Sequence, residues 1–180
     1  MKRQVRRRPG AKPIVLAALG AGLAGLVLLA AGQGGLLRLL LRPPAAVAGG
    51  TPVMPPDSSP ERGRVLYAEN CASCHGARLE GQEDWQTPGP DGILPAPPHD
   101  AAGHTWHHGD GILFDYVSLG GARALEKRGI AGFRSGMPGF SAALTEQEIW
   151  DILAYIKSNW PERIRALQAS QTEAERERGD

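Results

Sequence analysis

Cys71-Ala-Ser-Cys74 constrains this 180-residue chain more than any other feature, because its two cysteines are the only ones present. Thiols three residues apart are too close to staple a loop, so no disulfide framework holds this fold together. Their spacing is that of a ligand or attachment motif. The charge pattern adds a second boundary. All eight basic residues up to Arg42 lie in a stretch with no acid, whereas the remainder carries 12 basic against 19 acidic residues. The net charge of +1 therefore averages a head of +8 and a body of −7. An acidic body of about 120 residues suits one small domain and argues against a nucleic-acid binder.

The head reads as a membrane anchor. Residues 1–12 are a basic cytoplasmic segment, and residues 13–41 contain the unbroken apolar run Ile14–Ala31. Eighteen helical residues span roughly 27 Å, close to a bilayer's hydrocarbon thickness. Six positive charges precede the run and two, Arg38 and Arg42, follow it. That bias puts the amino terminus in the cytoplasm and the rest outside. The competing reading is a cleaved signal peptide with a small-x-small site at Ala46-Val47-Ala48, but the apolar run exceeds the usual core of such peptides. Residues 42–58, with Pro43, Pro44, Pro52, Pro55 and Pro56, form a Pro-rich tether of polyproline character.

His75 and Gly76 directly follow the second cysteine. Two thiols on one helical turn can add to the two vinyl groups of a haem, and the adjacent imidazole then faces the iron. A thioredoxin-like dithiol lacks its βαβ surroundings here, and a zinc half-site lacks a second ligand pair. Upstream, Ser59-Pro60-Glu61 supplies an N-cap, a proline at N1 and an acid in the first turn of a helix running into the motif, with Val65, Leu66 and Tyr67 as its expected buried stripe. Gly63 in mid-helix points to a close crossing by another helix. That partner is predicted after the capping box Thr145-Glu146-Gln147-Glu148, where Ile149, Ile152, Leu153 and Ile156 follow at helical spacing. Trp150 and Tyr155 flank the stripe as packing aromatics.

A second axial ligand must lie downstream. Met1 is the start and Met54 falls in the tether, which leaves Met137 in Ser135-Gly136-Met137-Pro138-Gly139-Phe140. Pro138 and the two glycines make a rigid turn that suits a fixed thioether.

Over residues 59–160 the chain resembles a class I c-type cytochrome of the membrane-anchored bacterial monohaem type. The resemblance implies an all-α haem fold following a single transmembrane helix, one covalently attached haem c, ligation by His75 and Met137, attachment through Cys71 and Cys74, and electron carriage, not enzymatic catalysis. It also implies a haem domain in the periplasm, a prolyl carbonyl bonded to the proximal imidazole, with Pro95, Pro97 and Pro98 all candidates, and a middle helix over Asp110–Ser118 closed by Gly120-Gly121. Redox proteins with basic docking patches, such as a terminal oxidase or a periplasmic oxidoreductase, are the expected partners of so acidic a domain.

The stretch Leu94–Asp110 holds four of the five histidines, His99, His104, His107 and His108. It reads as a loop over the haem edge, with His and Trp106 bonding the propionates or packing on the porphyrin. The alternatives are a copper or zinc site, or a histidine in place of Met137 as distal ligand. A haem enzyme or gas-binding sensor with an open distal position is the rival function. Residues 161–180, a charged tail without an apolar stripe, are expected to be a solvated helical or disordered end.

Overall fold

The computed structural model describes residues 50–179. The basic segment, the anchor and the first part of the tether lie outside the described residues. Among the described residues there is no strand, and no helix is long and apolar enough to cross a membrane. Six helices follow in order: α1 (Pro60–Asn70), the single turn α2 (Ala72–His75), α3 (Asp110–Leu119), α4 (Gly121–Lys127), α5 (Glu146–Ser158) and α6 (Glu162–Arg178), with a 3-10 turn over Thr105–His107 before α3.

Helices α1 and α5 pack together most extensively. The Ser59 hydroxyl caps α1 by accepting from Arg62 N at 3.3 Å, and the Thr145/Glu148 capping box starts α5. All four predicted apolar residues of α5 are buried, as is Trp150, which stacks on Phe114 with ring centroids 4.6 Å apart. At the crossing, a Cβ on Gly63 would overlap the Asp151 carbonyl and touch Tyr155, so only glycine lets the backbones come this close. The stripe of α1 is set by that contact. Gly63 and Tyr67 are buried while Val65 is exposed, a correction to the expected Val65-Leu66-Tyr67 stripe. On a 3.6-residue helix the face opposite α5 repeats as 63, 66, 67 and 70, and Val65 falls off it.

Asp151 is the acid of this seam. It accepts from Ser59 N at 2.7 Å, Arg62 Nε at 2.7 Å and Gln147 Nε2 at 3.2 Å. Burial alone pushes its carboxyl up, but these donors together hold it below the usual carboxylate range.

Residues after Trp160 form a docked helix whose buried side chains, Gln168, Thr172 and Glu175, are polar. The reason lies at the start of α3, where the N-cap is Gly109 and has no side chain to accept the orphan amides. Thr172 Oγ1 accepts from Asp110 N, and Glu175 Oε2 accepts from Gly111 N, each at 3.1 Å. Asp110 in turn joins four segments. Its carboxylate accepts from Lys157 Nζ at 2.7 Å, Gln168 Nε2 at 2.8 Å and Met54 N at 3.1 Å. The end of the tether therefore rests on the domain, with Met54 packed against the core.

Candidate haem site

The last turn of α1 leads straight into the motif. Cys71 N donates to Tyr67 O and His75 N donates to Cys71 O, both at 2.9 Å, so Cys71, Cys74 and His75 follow one another on a single turn. The buried Tyr67 hydroxyl closes this turn by donating to Gly76 O at 3.1 Å. No disulfide joins the two cysteines, and Cys71 is the more buried of the pair.

His75 is buried, and its Nδ1 lies 2.8 Å from Pro97 O. A carbonyl only accepts, so Nδ1 carries the hydrogen and Nε2 keeps its lone pair. This selects Pro97 among the three candidate prolines. Burial pulls the imidazole's proton affinity down more than the Pro97 bond raises it, which favours the neutral form a metal ligand needs.

A second histidine backs this ring. His99 stacks on His75 with centroids 4.0 Å apart, and its carbonyl accepts from the buried Trp160 indole at 2.8 Å. His99 Nδ1 is 2.8 Å from Thr105 Oγ1, whose hydroxyl donates to Pro98 O at 3.3 Å, so the ring's orientation is set. Neither the His99 stack nor the Trp160 bond has a signal in the sequence, since each joins segments with no shared periodicity.

Opposite chemistry arrives on the loop after α4. Gly120 ends α3 with φ +84° and lies against the Met137-Pro138-Gly139 backbone. Gly121 N donates to Met137 O at 3.2 Å, Met137 N to Ser135 Oγ at 3.1 Å and Phe140 N to Val117 O at 2.9 Å. The Gly-Met-Pro-Gly turn is thus fastened to the end of α3 at several points. The middle helix runs Asp110–Leu119, close to expectation, but Gly121 opens a further helix where a turn was expected.

Cys71, Cys74, His75 and Met137 all line one cavity of about 480 Å³. Its walls include Ile93, Leu113, Val117, Phe140, Ile152 and Leu153. A mainly apolar pocket with an imidazole Nε2, a thioether and two thiols fits a haem: sulfur for its vinyl groups, nitrogen and sulfur for its iron, apolar walls for its ring. A buried polar atom without a partner, His104 Nδ1, fits as well, since a macrocycle bearing carboxylates brings acceptors.

The histidines of the 99–108 stretch separate here. His99, His104 and His108 line the cavity, whereas His107 is exposed and packs on Trp106. Trp106 Nε1 is buried without a partner. Among the described residues no group of three or more His, Cys, Asp or Glu is arranged to hold a metal ion, which leaves the copper or zinc alternative without a ligand set.

A comparison with curated proteins and one with solved structures returned no match. A family model does match: the one described as Cytochrome c covers residues 60–160, more than half of the chain, and begins and ends with the α1–α5 frame that carries the site. The chain belongs to the cytochrome c family, and is a class I c-type cytochrome with covalently attached haem c.

Proposed function

We propose that this electron-transfer haem protein is a membrane-anchored monohaem carrier of single electrons, with Cys71 and Cys74 as the thioether attachments and His75 and Met137 as the axial ligands. The observation that carries the reading is the convergence on one cavity of the two thiols, Met137 and a His75 ring whose Nδ1 is occupied by Pro97. When bound, the haem supplies the reversible one-electron change of its iron. The chain's own residues do the rest. Pro97 fixes the tautomer and plane of His75, so its nitrogen is ready to ligate without rearrangement. The fastened loop holds Met137 at a set place, and a thioether ligand raises the potential. The apolar walls exclude water, which limits reorganisation when the charge changes.

Localisation and partners belong to the same proposal. The acid-free apolar run Ile14–Ala31 with its charge bias supports a bacterial cytoplasmic membrane anchor and a periplasmic haem domain. The −7 charge beyond Arg42 supports docking to basic patches on a terminal oxidase or a periplasmic oxidoreductase. The test is the mass of the purified, denatured protein. One haem should stay attached in wild type and be lost in Cys71→Ala/Cys74→Ala. A wild-type mass without haem overturns the attachment.

A further inference from the structure

His99 sits in a loop, yet nearly all of its polar groups are pinned. Its backbone N–H donates to Leu79 O at 2.8 Å, and its carbonyl accepts from the buried Trp160 indole at 2.8 Å. The ring Nδ1 lies 2.8 Å from Thr105 Oγ1. Thr105 has one hydroxyl hydrogen and gives it to Pro98 O at 3.3 Å, so its oxygen accepts from His99 and Nδ1 carries the proton. The residue that holds the His99 backbone is itself strained. Leu79 is buried and adopts φ +69°, a left-handed conformation that residues other than glycine rarely take. Such strain persists only where the surroundings over-determine it, and here the Leu79 carbonyl accepts from Asp100 N at 3.2 Å as well as from His99 N.

The ring fixed in this way covers His75. The two imidazoles stack with centroids 4.0 Å apart and planes 21° from parallel, while the Tyr67 ring stands edge-on to His99 at 6.3 Å. The proximal ring's own bond, from Nδ1 to Pro97 O, fixes one atom. One fixed atom leaves the plane free to turn about the line of that bond, and a stacked face removes this freedom. Both rings are anchored to adjacent carbonyls, His75 directly to Pro97 and His99 through Thr105 to Pro98. The proline pair is braced in turn. A Cβ on Gly81 would overlap Pro98 N and Pro97 C, and Gly81 N donates to His75 O at 2.8 Å.

The chemistry of the stacked ring gives the effect a sign. A neutral imidazole presents electron-rich faces, so it stabilises a neighbour more strongly when that neighbour gains positive charge. An aliphatic side chain in its place offers contact without that attraction. We infer that His99 is a positioning residue for the proximal ligand: its ring sets the plane of His75, and its electron-rich face favours the oxidised, more positive state of an iron that His75 ligates. This rests on the haem reading given above, because the stack acts on the iron only through an axial His75. No bond forms or breaks and no proton moves.

Two readings on the full-length holoprotein at one neutral pH test this: the midpoint potential, and the electron paramagnetic resonance spectrum of the oxidised state, whose g-values follow the ligand plane. His99→Leu is expected to move the g-values and to raise the potential. The rise should correspond to about a threefold change in the oxidised-to-reduced ratio at a fixed potential, or about 28 mV for one electron. His99→Phe restores a stacked ring and should return the g-values towards wild type. Thr105→Val keeps the His99 ring but releases its Nδ1, so it should shift the same g-values, and it serves equally if His99→Leu does not fold. Wild-type readings in His99→Leu, a lowered potential in it, or g-values in His99→Phe that match those of His99→Leu overturn the proposal. So does an unaltered spectrum in Thr105→Val. Absence of haem from the wild-type mass would instead defeat the haem reading, so the two failures are distinguishable.

Discussion

Helices α5 and α6 are consecutive, each buries one face, and they do it with opposite chemistry. The buried face of α5 is aliphatic and aromatic, with the single acid Asp151 neutralised by Arg62 and two further donors. That of α6 is Gln168, Thr172 and Glu175, which supply acceptors and donors to the start of α3. Apolar burial tolerates exchange of one aliphatic for another of similar size, because it is not directional. A polar seam depends on each partner, because a buried group left alone loses water and gains nothing. The two seams should therefore fail differently.

The largest effect is expected at Asp110, where the polar seam meets α5. Asp110→Ala leaves the Lys157 ammonium, 15% exposed, without its carboxylate and frees Gln168 and Met54 N. Removing one member of such a pair costs about 3–5 kcal/mol. Denaturant unfolding of the holoprotein should show that loss, and limited proteolysis should cut the 50–58 segment faster than in wild type. An intact segment would mean that Asp110 does not hold the tether.

Next comes Gly63→Ala, which breaks the apolar seam by size alone. The added methyl meets backbone at Asp151, which cannot swing aside as a long side chain does. Overpacking of this kind costs about 1–3 kcal/mol. Val65→Ala, on the exposed side of the same helix, should cost under about 0.5 kcal/mol. Equal thermal midpoints for the two variants would contradict the crossing described.

These two seams were not equally legible beforehand. Helix α5 announces itself through its capping box and its 149, 152, 153, 156 spacing, because apolar periodicity is a local property of the chain. Gly63 signalled the crossing for the same reason: a glycine in mid-helix needs an explanation nearby. Helix α6 gave no such signal, since a polar stripe of Gln, Thr and Glu looks like any solvated face until the amides it serves are known. Within the site, Cys71, Cys74, His75 and Met137 stood out by motif and scarcity. Pro97 did not stand apart from Pro95 and Pro98, because which carbonyl reaches the imidazole depends on how the 77–97 loop folds back. The cavity-facing histidines were likewise inseparable from His107, whose outward direction is set by the 3-10 turn and its packing on Trp106.

The smallest effect separates the two seams by the sign of their pH dependence. Asp151 is held low, so its stabilisation is fully present above its unfolded value of 3.8 and is lost as pH falls through the lower folded value. Glu175 is raised, first by burial and then by Asp110, against its amide partners and Arg128. Its carboxyl contributes most below the unfolded value of 4.5 and loses that contribution as pH rises through the folded value. Glu175→Gln keeps an acceptor for Gly111 N and removes the cost of ionisation. It should be more stable than wild type by about 1 kcal/mol or less at neutral pH, with the gap closing below its unfolded value. Stability measured against pH for both proteins checks this, and a gap that widens towards acid would reverse the assignment.

The central claim is that the cavity between α5, the cysteine turn and the Met137 loop holds a haem ligated by His75 and Met137. The most direct measurement is the absorption spectrum of the oxidised holoprotein at its red end, where sulfur bonded to ferric iron gives a weak charge-transfer band. The band should be present in wild type and absent in Met137→Ala with the haem still attached. A wild-type spectrum without it, or a band that survives in Met137→Ala, would contradict the account.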